Sequence, residues 1–262
     1  MLPDFVLLGR TFPTYALMGL VAIFIGAAVA GLRAKKYDLT SHDMVFAAAF
    51  ASIGLAAGGA FLYVLVQIPL VAANWGAFVA GLPASLAVFG GMVFYGGLFG
   101  ALAGLWAYAK IMKQNLNHIL ILTVPVLPLA HGIMRLGCFA AGCCFGMEHE
   151  ALGIAFVRSP AAPNGINLLP VQLYESAMNF IIFAVVWLYS KKQRRLLYIL
   201  CMYGLPYAVG RFALEFLRGD AHRGFVFGLS TSQFISALVA AACVVALVWD
   251  KIKHAQEMRE KS

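Results

Sequence analysis

Apolar windows about as long as a bilayer is thick recur along this chain, separated by short polar breaks. A helix needs roughly 20 mostly apolar residues to cross the hydrocarbon core of a membrane. Only 11% of the 262 residues are charged and 62% are hydrophobic, which is outside the range of soluble domains. Because lipid offers the backbone no hydrogen-bond partner, these windows must form helices. The pattern predicts seven spans, at residues 15–32, 44–66, 84–109, 119–139, 171–189, 196–216 and 232–248.

The chain is therefore predicted to be an all-α, multi-pass helix bundle forming a single domain, residues 1–262. Most Lys and Arg residues follow the first, third, fifth and seventh spans. Basic loops stay on the cytoplasmic side, so the N-terminus is predicted outside and the C-terminus inside. Asp4 precedes the first span and the basic cluster follows it, which is the reverse of a signal peptide. The net charge of +8 then belongs to the loops, and no nucleic-acid partner is expected.

Residues 131–146, HGIMRLGCFAAGCCFG, concentrate reactive side chains in an otherwise aliphatic region. They contribute His131, Arg135, Cys138, Cys143 and Cys144. An ionisable group inside a bilayer costs roughly 3 kcal/mol or more, so it persists where it is paired or functional. The chemistry of the protein is predicted to lie here.

Residues three or four apart share one face of a helix, and three predicted helices carry polar faces in their outer halves. One polar pocket can collect these faces, and their surplus of Arg favours an anionic ligand. The Arg fork suits phosphate, and a phosphate carried on a lipid lies at this depth. The alternative is a purely structural network of ion pairs, Arg135–Glu175 and Arg211–Glu215. The three faces are His131, Arg135 and Cys138; Gln172 and Glu175; and Tyr207, Arg211, Glu215 and Arg218.

The third span is rich in glycine. Gly96, Gly100 and Gly104 repeat at intervals of four and predict close helix packing. Gly96 and Gly97 also follow Tyr95 directly and leave space around that polar group. Further on, the outer segment 147–170 is too polar to span the membrane. It is predicted to be either a lid over the site or an ordinary connecting loop.

Three ordered blocks resemble the bacterial prolipoprotein diacylglyceryl transferase family. HGIMRLGCFAAGCCFG resembles the family's span-ending signature, PVQLYES its P-x-Q-L-Y-E block, and YGLPYAVGRFALEFLRGD its Y-G-x-x-R-x-x-x-E-F-x-R-x-x-D block. TYALMG fits the Tyr-bearing first span of the family. The resemblance implies transfer of a diacylglyceryl group from phosphatidylglycerol to the lipobox cysteine of a preprolipoprotein, with release of glycerol 1-phosphate. It also implies a bacterial inner-membrane location and no cofactor.

The resemblance also implies roles for individual residues. Arg135 and Arg211 would hold the lipid phosphate and stabilise the leaving anion, an electrostatic role that is often the largest catalytic term. Glu215 would orient Arg211. Substrate-binding positions implied by the same match are Tyr15, Gln172, Tyr174, Glu175, Gly96 and Gly97.

The chain departs from the family pattern at three positions. The family's His before Gly-Gly, a candidate base for the acceptor thiol, is Tyr95 here. A phenol with a pKa near ~10 is a poor base at neutral pH. The Asn and Glu of the family signature are replaced by Cys138 and Cys143.

These departures leave several interpretations open. His131 can act as the base, or Cys138, Cys143 or Cys144 can act as a nucleophile activated by Arg135 and His131 for a different acceptor. Three Cys plus His131 can also supply metal or redox chemistry, but the spacing C-x₄-C-C is not a standard zinc pattern and no metal is predicted. Packing and a structural disulfide are the remaining explanations. Besides the transferase, the sequence thus allows a divergent paralogue, a thiol-redox or metal-handling protein, or a lipid-binding pseudoenzyme.

Overall fold

The structure, a computed structural model, describes residues 2–7, 9–80, 93–219 and 224–260. Helices dominate these residues, which also form three short antiparallel strand pairs, one before the first helix and two between later helices. In chain order the elements are β1 (Asp4–Leu7), β2 (Arg10–Pro13), α1 (Thr14–Gly31), α2 (Ser41–Ala73), α3 (Trp75–Ala80), α4 (Phe94–Ile111), α5 (Leu116–Thr123), α6 (Leu127–Ala141), β3 (Ile154–Ala155), β4 (Asn167–Leu168), α7 (Val171–Tyr189), α8 (Leu196–Glu215), β5 (Phe225–Val226), β6 (Leu229–Ser230) and α9 (Thr231–Glu260).

Six helical segments in the described part of the chain are long and apolar enough to cross a membrane. They are Thr14–Gly31, Ser41–Ala73, Leu116–Ala141, Val171–Tyr189, Leu196–Glu215 and Thr231–Met258. They confirm a multi-pass helical membrane protein and coincide with six of the seven predicted spans. For the remaining span, predicted at 84–109, the helix α4 covers the second half, and residues 84–92 lie outside the described residues. The predicted orientation of the termini stays a prediction.

Two helices are longer than their sequence windows indicated. The second span was predicted to end at residue 66, yet α2 continues to Ala73 with Pro69 inside it. The apolar sequence continues past residue 66. Proline lacks a backbone N–H donor, but membrane helices accommodate proline because neighbouring groups satisfy the backbone carbonyl that it leaves unpaired. The last helix likewise runs past its predicted end at 248 to Glu260.

The chain divides into two compact units, and each is described separately. The first unit contains Met1–Ala30 and Ile121–Ser262. Within it α6 packs on α7, α7 on α8, and α8 on α9. Helix α1 contacts α6 where Gly137 faces Met18. Four helix ends meet at one end of this unit, which we call the motif end. They are the end of α6, the start of α7, the end of α8 and the start of α9.

The second unit, Gly31–Leu120, is built on a close contact between α2 and α4. A Cβ atom added to Gly100 would overlap the backbone carbonyl of Gly54, and one added to Gly96 would overlap that of Gly58. Gly104 is in the same position against Phe50. Close backbone approach through small residues is the main way helices associate in lipid. The predicted packing role of these glycines is therefore confirmed.

Replacing Gly100 by Ala should destabilise this helix pair. The methyl group has no room against the Gly54 backbone, and overpacking of this kind costs about 1–3 kcal/mol of unfolding free energy. Thermal unfolding of the purified protein in detergent should show a lower midpoint. Gly76→Ala is the matched control, because a Cβ there has no neighbour within 4 Å. An unchanged midpoint for Gly100→Ala would contradict the contact.

Candidate functional site

The end of α6 sets up the site through its backbone. Gly142 adopts a left-handed conformation with φ of 72°, its N–H bonds to the carbonyl of Phe139, and the N–H of Cys143 bonds to that of Cys138. This is a Schellman ending, which glycine favours because a side chain is strained there. A Cβ on Gly142 would also collide with Ser159. The turn directs the following residues back over the end of the helix.

Arg135 on α6 and Glu175 on α7 form a buried ion pair. Arg135 Nη2 lies 3.0 Å from Glu175 Oε1, and only 1% of the Glu175 side chain is exposed. Arg135 Nε donates to His131 Nε2 at 3.2 Å, and Nη1 contacts Cys138 Sγ at 3.9 Å. The guanidinium is therefore held from three directions, which fixes its plane before any ligand arrives.

The contacts of His131 define its protonation state in this arrangement. Its Nε2 atom lies 3.2 Å from Arg135 Nε and 3.5 Å from Glu175 Oε1. Arginine carries only donors, so Nε2 must accept, and the ring proton then sits on Nδ1. The lone pair that a base would use is therefore occupied by Arg135.

A second ion pair lies on α8. Arg211 Nη1 is 2.7 Å from Glu215 Oε2, one helical turn away, and Arg211 Nη2 donates to Ser232 Oγ on α9 at 2.9 Å. Both charged side chains are largely buried. Tyr207, one turn before Arg211, packs its ring 5.3 Å from that of His131. His131 and Tyr207 therefore connect the two ion pairs within the first unit.

Helix α7 adds a buried polar face. Gln172 donates from Nε2 to the Cys143 carbonyl at 2.7 Å, Ser176 donates to the Gly132 carbonyl at 2.9 Å, and Asn179 donates to the Glu175 carbonyl at 2.8 Å. Among the residues that the structure describes, the side-chain carbonyl of Gln172 has no hydrogen-bond donor. A buried acceptor without a donor is costly, so this oxygen is available to a ligand.

Three thiols cluster at the motif end. The Sγ atoms of Cys138, Cys143 and Cys144 all lie within 4.8 Å of one another, and all are free thiols. Hydrogen bonds from Cys138 and Cys143, together with the charge of Arg218, hold the pKa of the Cys144 thiol below its ordinary value. The Cys143 thiol donates to the backbone carbonyl of Cys138 at 3.7 Å, and hydrogen bonding within the cluster raises the pKa of Cys143.

The loops around the cluster are tied together through backbone groups. Gly146 N donates to Leu169 O at 2.9 Å, Met147 N to Leu217 O at 2.9 Å, and Gly219 N to Phe145 O at 3.2 Å. The segment 147–170 also contains the β3–β4 pair, and Phe156 is fully buried with Ala162 and Leu168 in a small apolar cluster. Whether this segment acts as a lid stays a prediction.

Arg218 does not lie on the helical face where the sequence placed it. Helix α8 ends at Glu215, and Arg218 pairs through its backbone with Gly146 beyond the helix end. The sequence predicted a helical face that continues to residue 218, but Phe216 is the C-terminal cap of α8 and the helix ends there. Arg218 is brought beside Cys144 by this turn.

The remaining predicted site residues fall into two groups. Tyr15 lies in the first turn of α1 and packs beside Gly137 of α6. Tyr174 lies on α7 and is 37% exposed. Tyr95, Gly96 and Gly97 belong to the second unit, where Tyr95 is exposed at the start of α4 and both glycines face α2. Their roles in substrate binding and catalysis stay predictions.

Sequence reasoning missed three polar partners. Ser176 and Asn179 continue the helical face of Gln172 and Glu175 at intervals of four and three, so the period contained the signal. Ser232 binds Arg211 from the first turn of α9. No local pattern marks Ser232, because its partner is distant in the chain.

Buried Arg–Glu pairs among membrane-spanning helices define a membrane protein that keeps a charged site within the bilayer. Residues 4–249 match the family model described as prolipoprotein diacylglyceryl transferase. The chain belongs to this family.

Relatives with the name phosphatidylglycerol–prolipoprotein diacylglyceryl transferase cover most of the chain. The protein of Clostridium tetani is 38% identical over 227 residues, which is 85% of this chain and 87% of that relative. A Clostridium perfringens protein, the second of that name, is 37% identical over 172 residues, 65% of this chain and 67% of the relative. The Dehalococcoides mccartyi protein is 29% identical over 228 residues, with 85% and 83% covered.

Proposed function

We propose that this protein is an enzyme of the bacterial plasma membrane that moves a diacylglyceryl group from phosphatidylglycerol to the lipobox cysteine of a preprolipoprotein. The observation that carries the proposal is the pair of guanidinium groups, Arg135 and Arg211, each held by a buried carboxylate at the motif end. The family's name supports the donor and the acceptor. In this proposal the motif end faces outward, with the N-terminus.

The carboxylates prepare both arginines for a phosphate. Glu175 and Glu215 balance the buried positive charges of the two arginines. Because each guanidinium is already oriented, little reorganisation is needed when negative charge develops on a ligand. Arg135 also contacts His131 and Cys138, so a phosphate oxygen would exchange with one of these weaker partners.

The reaction is a displacement at a glyceryl carbon. The acceptor sulfur forms a bond to the carbon, the carbon–oxygen bond to the phosphate breaks, and the electron pair leaves with glycerol 1-phosphate. Arg135 and Arg211 stabilise the charge on this leaving group, which is greatest late in the reaction. The Gln172 side-chain carbonyl would accept a hydrogen bond from a headgroup hydroxyl, and Tyr15 and Tyr174 would contact lipid or peptide. Tyr95 and His131 are the two alternative bases for the acceptor thiol, and His131 can act as one only after its Nε2 atom releases Arg135.

A direct transfer assay tests this function. The purified protein is incubated with phosphatidylglycerol vesicles and a lipobox peptide, and mass spectrometry should find the peptide heavier by one diacylglyceryl group. A peptide with Ser in place of the lipobox Cys should stay unmodified. The gene should also rescue cells depleted of their own lipoprotein transferase. An unmodified peptide with well-folded protein would overturn the proposed acceptor and favour the divergent-paralogue alternative.

A further inference from the structure

The three clustered thiols have the geometry of an incomplete metal site. Their sulfur atoms lie within 4.8 Å of one another. Thiolates around a tetrahedral zinc ion, with zinc–sulfur bonds of about 2.3 Å, stand about 3.8 Å apart. A small inward shift of each sulfur atom therefore suffices, and side-chain rotation of Cys143 and Cys144 can supply it because both are only partly buried.

The backbone is shaped to bring these thiols together. Cys144 has a φ of +60°, a left-handed conformation that residues with a side chain rarely adopt. It follows the Schellman turn, and Gln172 holds the Cys143 carbonyl in place. The side chains of residues 138 and 144 are thus brought together, although residue 138 lies in the last turn of α6 and residue 144 follows the turn that ends the helix.

The surrounding charge suits a divalent ion bound by three thiolates. Such a centre has a net charge of −1, which a neighbouring cation balances. Arg135 Nη1 lies 3.9 Å from Cys138 Sγ, and the backbone of Arg218 pairs with Gly146, two residues after Cys144. Cations beside thiols favour the thiolate form that a metal binds.

We infer that Cys138, Cys143 and Cys144 bind a zinc ion and leave its fourth position open to the acceptor thiol. Three protein ligands and one open position are the arrangement of catalytic zinc. The sequence predicted no metal, because the C-x₄-C-C spacing of these cysteines is not a standard zinc pattern. The inference rests on the proposed function for the identity of the acceptor. A zinc ion would also replace the family's candidate base, whose position is taken by Tyr95 here, because a thiol that coordinates zinc is deprotonated without a separate base.

Transfer through this zinc ion involves no change of oxidation state. The acceptor thiol binds zinc in place of water and releases its proton to solvent. The bound sulfur then attacks the glyceryl carbon, a carbon–sulfur bond forms, and glycerol 1-phosphate departs with the electron pair of the broken carbon–oxygen bond. Zinc remains divalent, and the product thioether, a weak neutral ligand, is released.

Metal analysis of the full chain, purified in detergent without chelator, tests the site. Elemental mass spectrometry should find about one zinc per protein, as a single three-thiolate site requires. Cys138→Ser, Cys143→Ser and Cys144→Ser should each lose most of it. Cys201→Ser and Cys243→Ser are matched controls from α8 and α9 of the same unit and should keep it.

A second measurement avoids dependence on variants. Cobalt substituted for zinc in the wild-type protein should show tetrahedral cobalt–thiolate absorption. A lipobox peptide should change that spectrum, and the same peptide with Ser for Cys should not. Zinc retained by all three ligand variants, no zinc in the wild-type protein, or a disulfide within the cluster would each overturn the inference.

The two proposals fail separately. Transfer to the lipobox peptide by a zinc-free protein would remove the metal site and leave the transferase. Zinc bound by the three thiols, with a cobalt spectrum insensitive to the peptide and no transfer, would remove the transferase proposal and the open-position role while leaving a thiolate metal site.

Discussion

Arg135→Lys should lower the rate of diacylglyceryl transfer by about 10²–10³-fold, the usual cost of losing one preorganised donor to a developing anion. Lysine keeps the positive charge but cannot reach Glu175, His131 and Cys138 from one plane, as the guanidinium does. The fall should appear mainly in kcat, because the lost interaction strengthens as the leaving group acquires charge. The lipobox-peptide assay, run at saturating phosphatidylglycerol, measures it.

Arg195→Lys is the control for this change. Arg195 also pairs with a carboxylate, Asp250 at 2.8 Å, but it lies at the opposite end of α8 from the motif end. Its substitution should leave the transfer rate unchanged, because Arg195 lies at the far end of α8 from Arg211 and lysine keeps the positive charge beside Asp250. Equal rates for wild-type protein and Arg135→Lys would remove Arg135 from the anion-binding role.

Glu175→Gln should destabilise the protein by about 3–5 kcal/mol, the cost of leaving one partner of a buried ion pair unmatched. Glu175 is 1% exposed and faces both Arg135 and His131. Chemical denaturation in detergent micelles should show the lower unfolding free energy. Glu257→Gln, an exposed position on α9, should leave it unchanged.

A double variant separates stability from function. Replacing Arg135 by Met and Glu175 by Leu removes both charges, and apolar pairs often restore the stability lost on breaking a buried ion pair. The double variant should therefore be more stable than Glu175→Gln yet inactive in transfer. Full stability of the single variant would show that the Arg135–Glu175 contact does not hold α6 to α7.

The helices were predictable because apolar length is a strong and local signal. The span at 171–189 matches Val171–Tyr189 at both ends, where Pro170 precedes the helix and polar residues follow it. The end of α2 was not predictable in the same way. The predicted span ended at residue 66, but the helix continues through Pro69 because the apolar sequence runs on at both sides of it.

The site residues that share one face of a helix were predictable from their spacing. Those that follow a turn of the chain were not. The period placed His131, Arg135 and Cys138 together, and it placed Arg211 against Glu215. Both ion pairs named as the structural alternative are present. Only the three-dimensional turn at Gly142 brings Cys143 and Cys144 to Cys138, because no spacing rule describes a chain that folds back over the end of its own helix.

The ladder joining Gly146, Leu169 and Leu217 uses backbone groups alone. Its register does not depend on which side chains the loop carries, since every residue other than proline offers the same N–H and C=O. The loop between residues 148 and 166 can therefore gain, lose or exchange exposed residues while the chain re-enters α7 at the same point. The protein thus separates an exposed loop, whose residues can vary, from the arginines and thiols at the motif end, whose positions are fixed by the helices and turns that carry them.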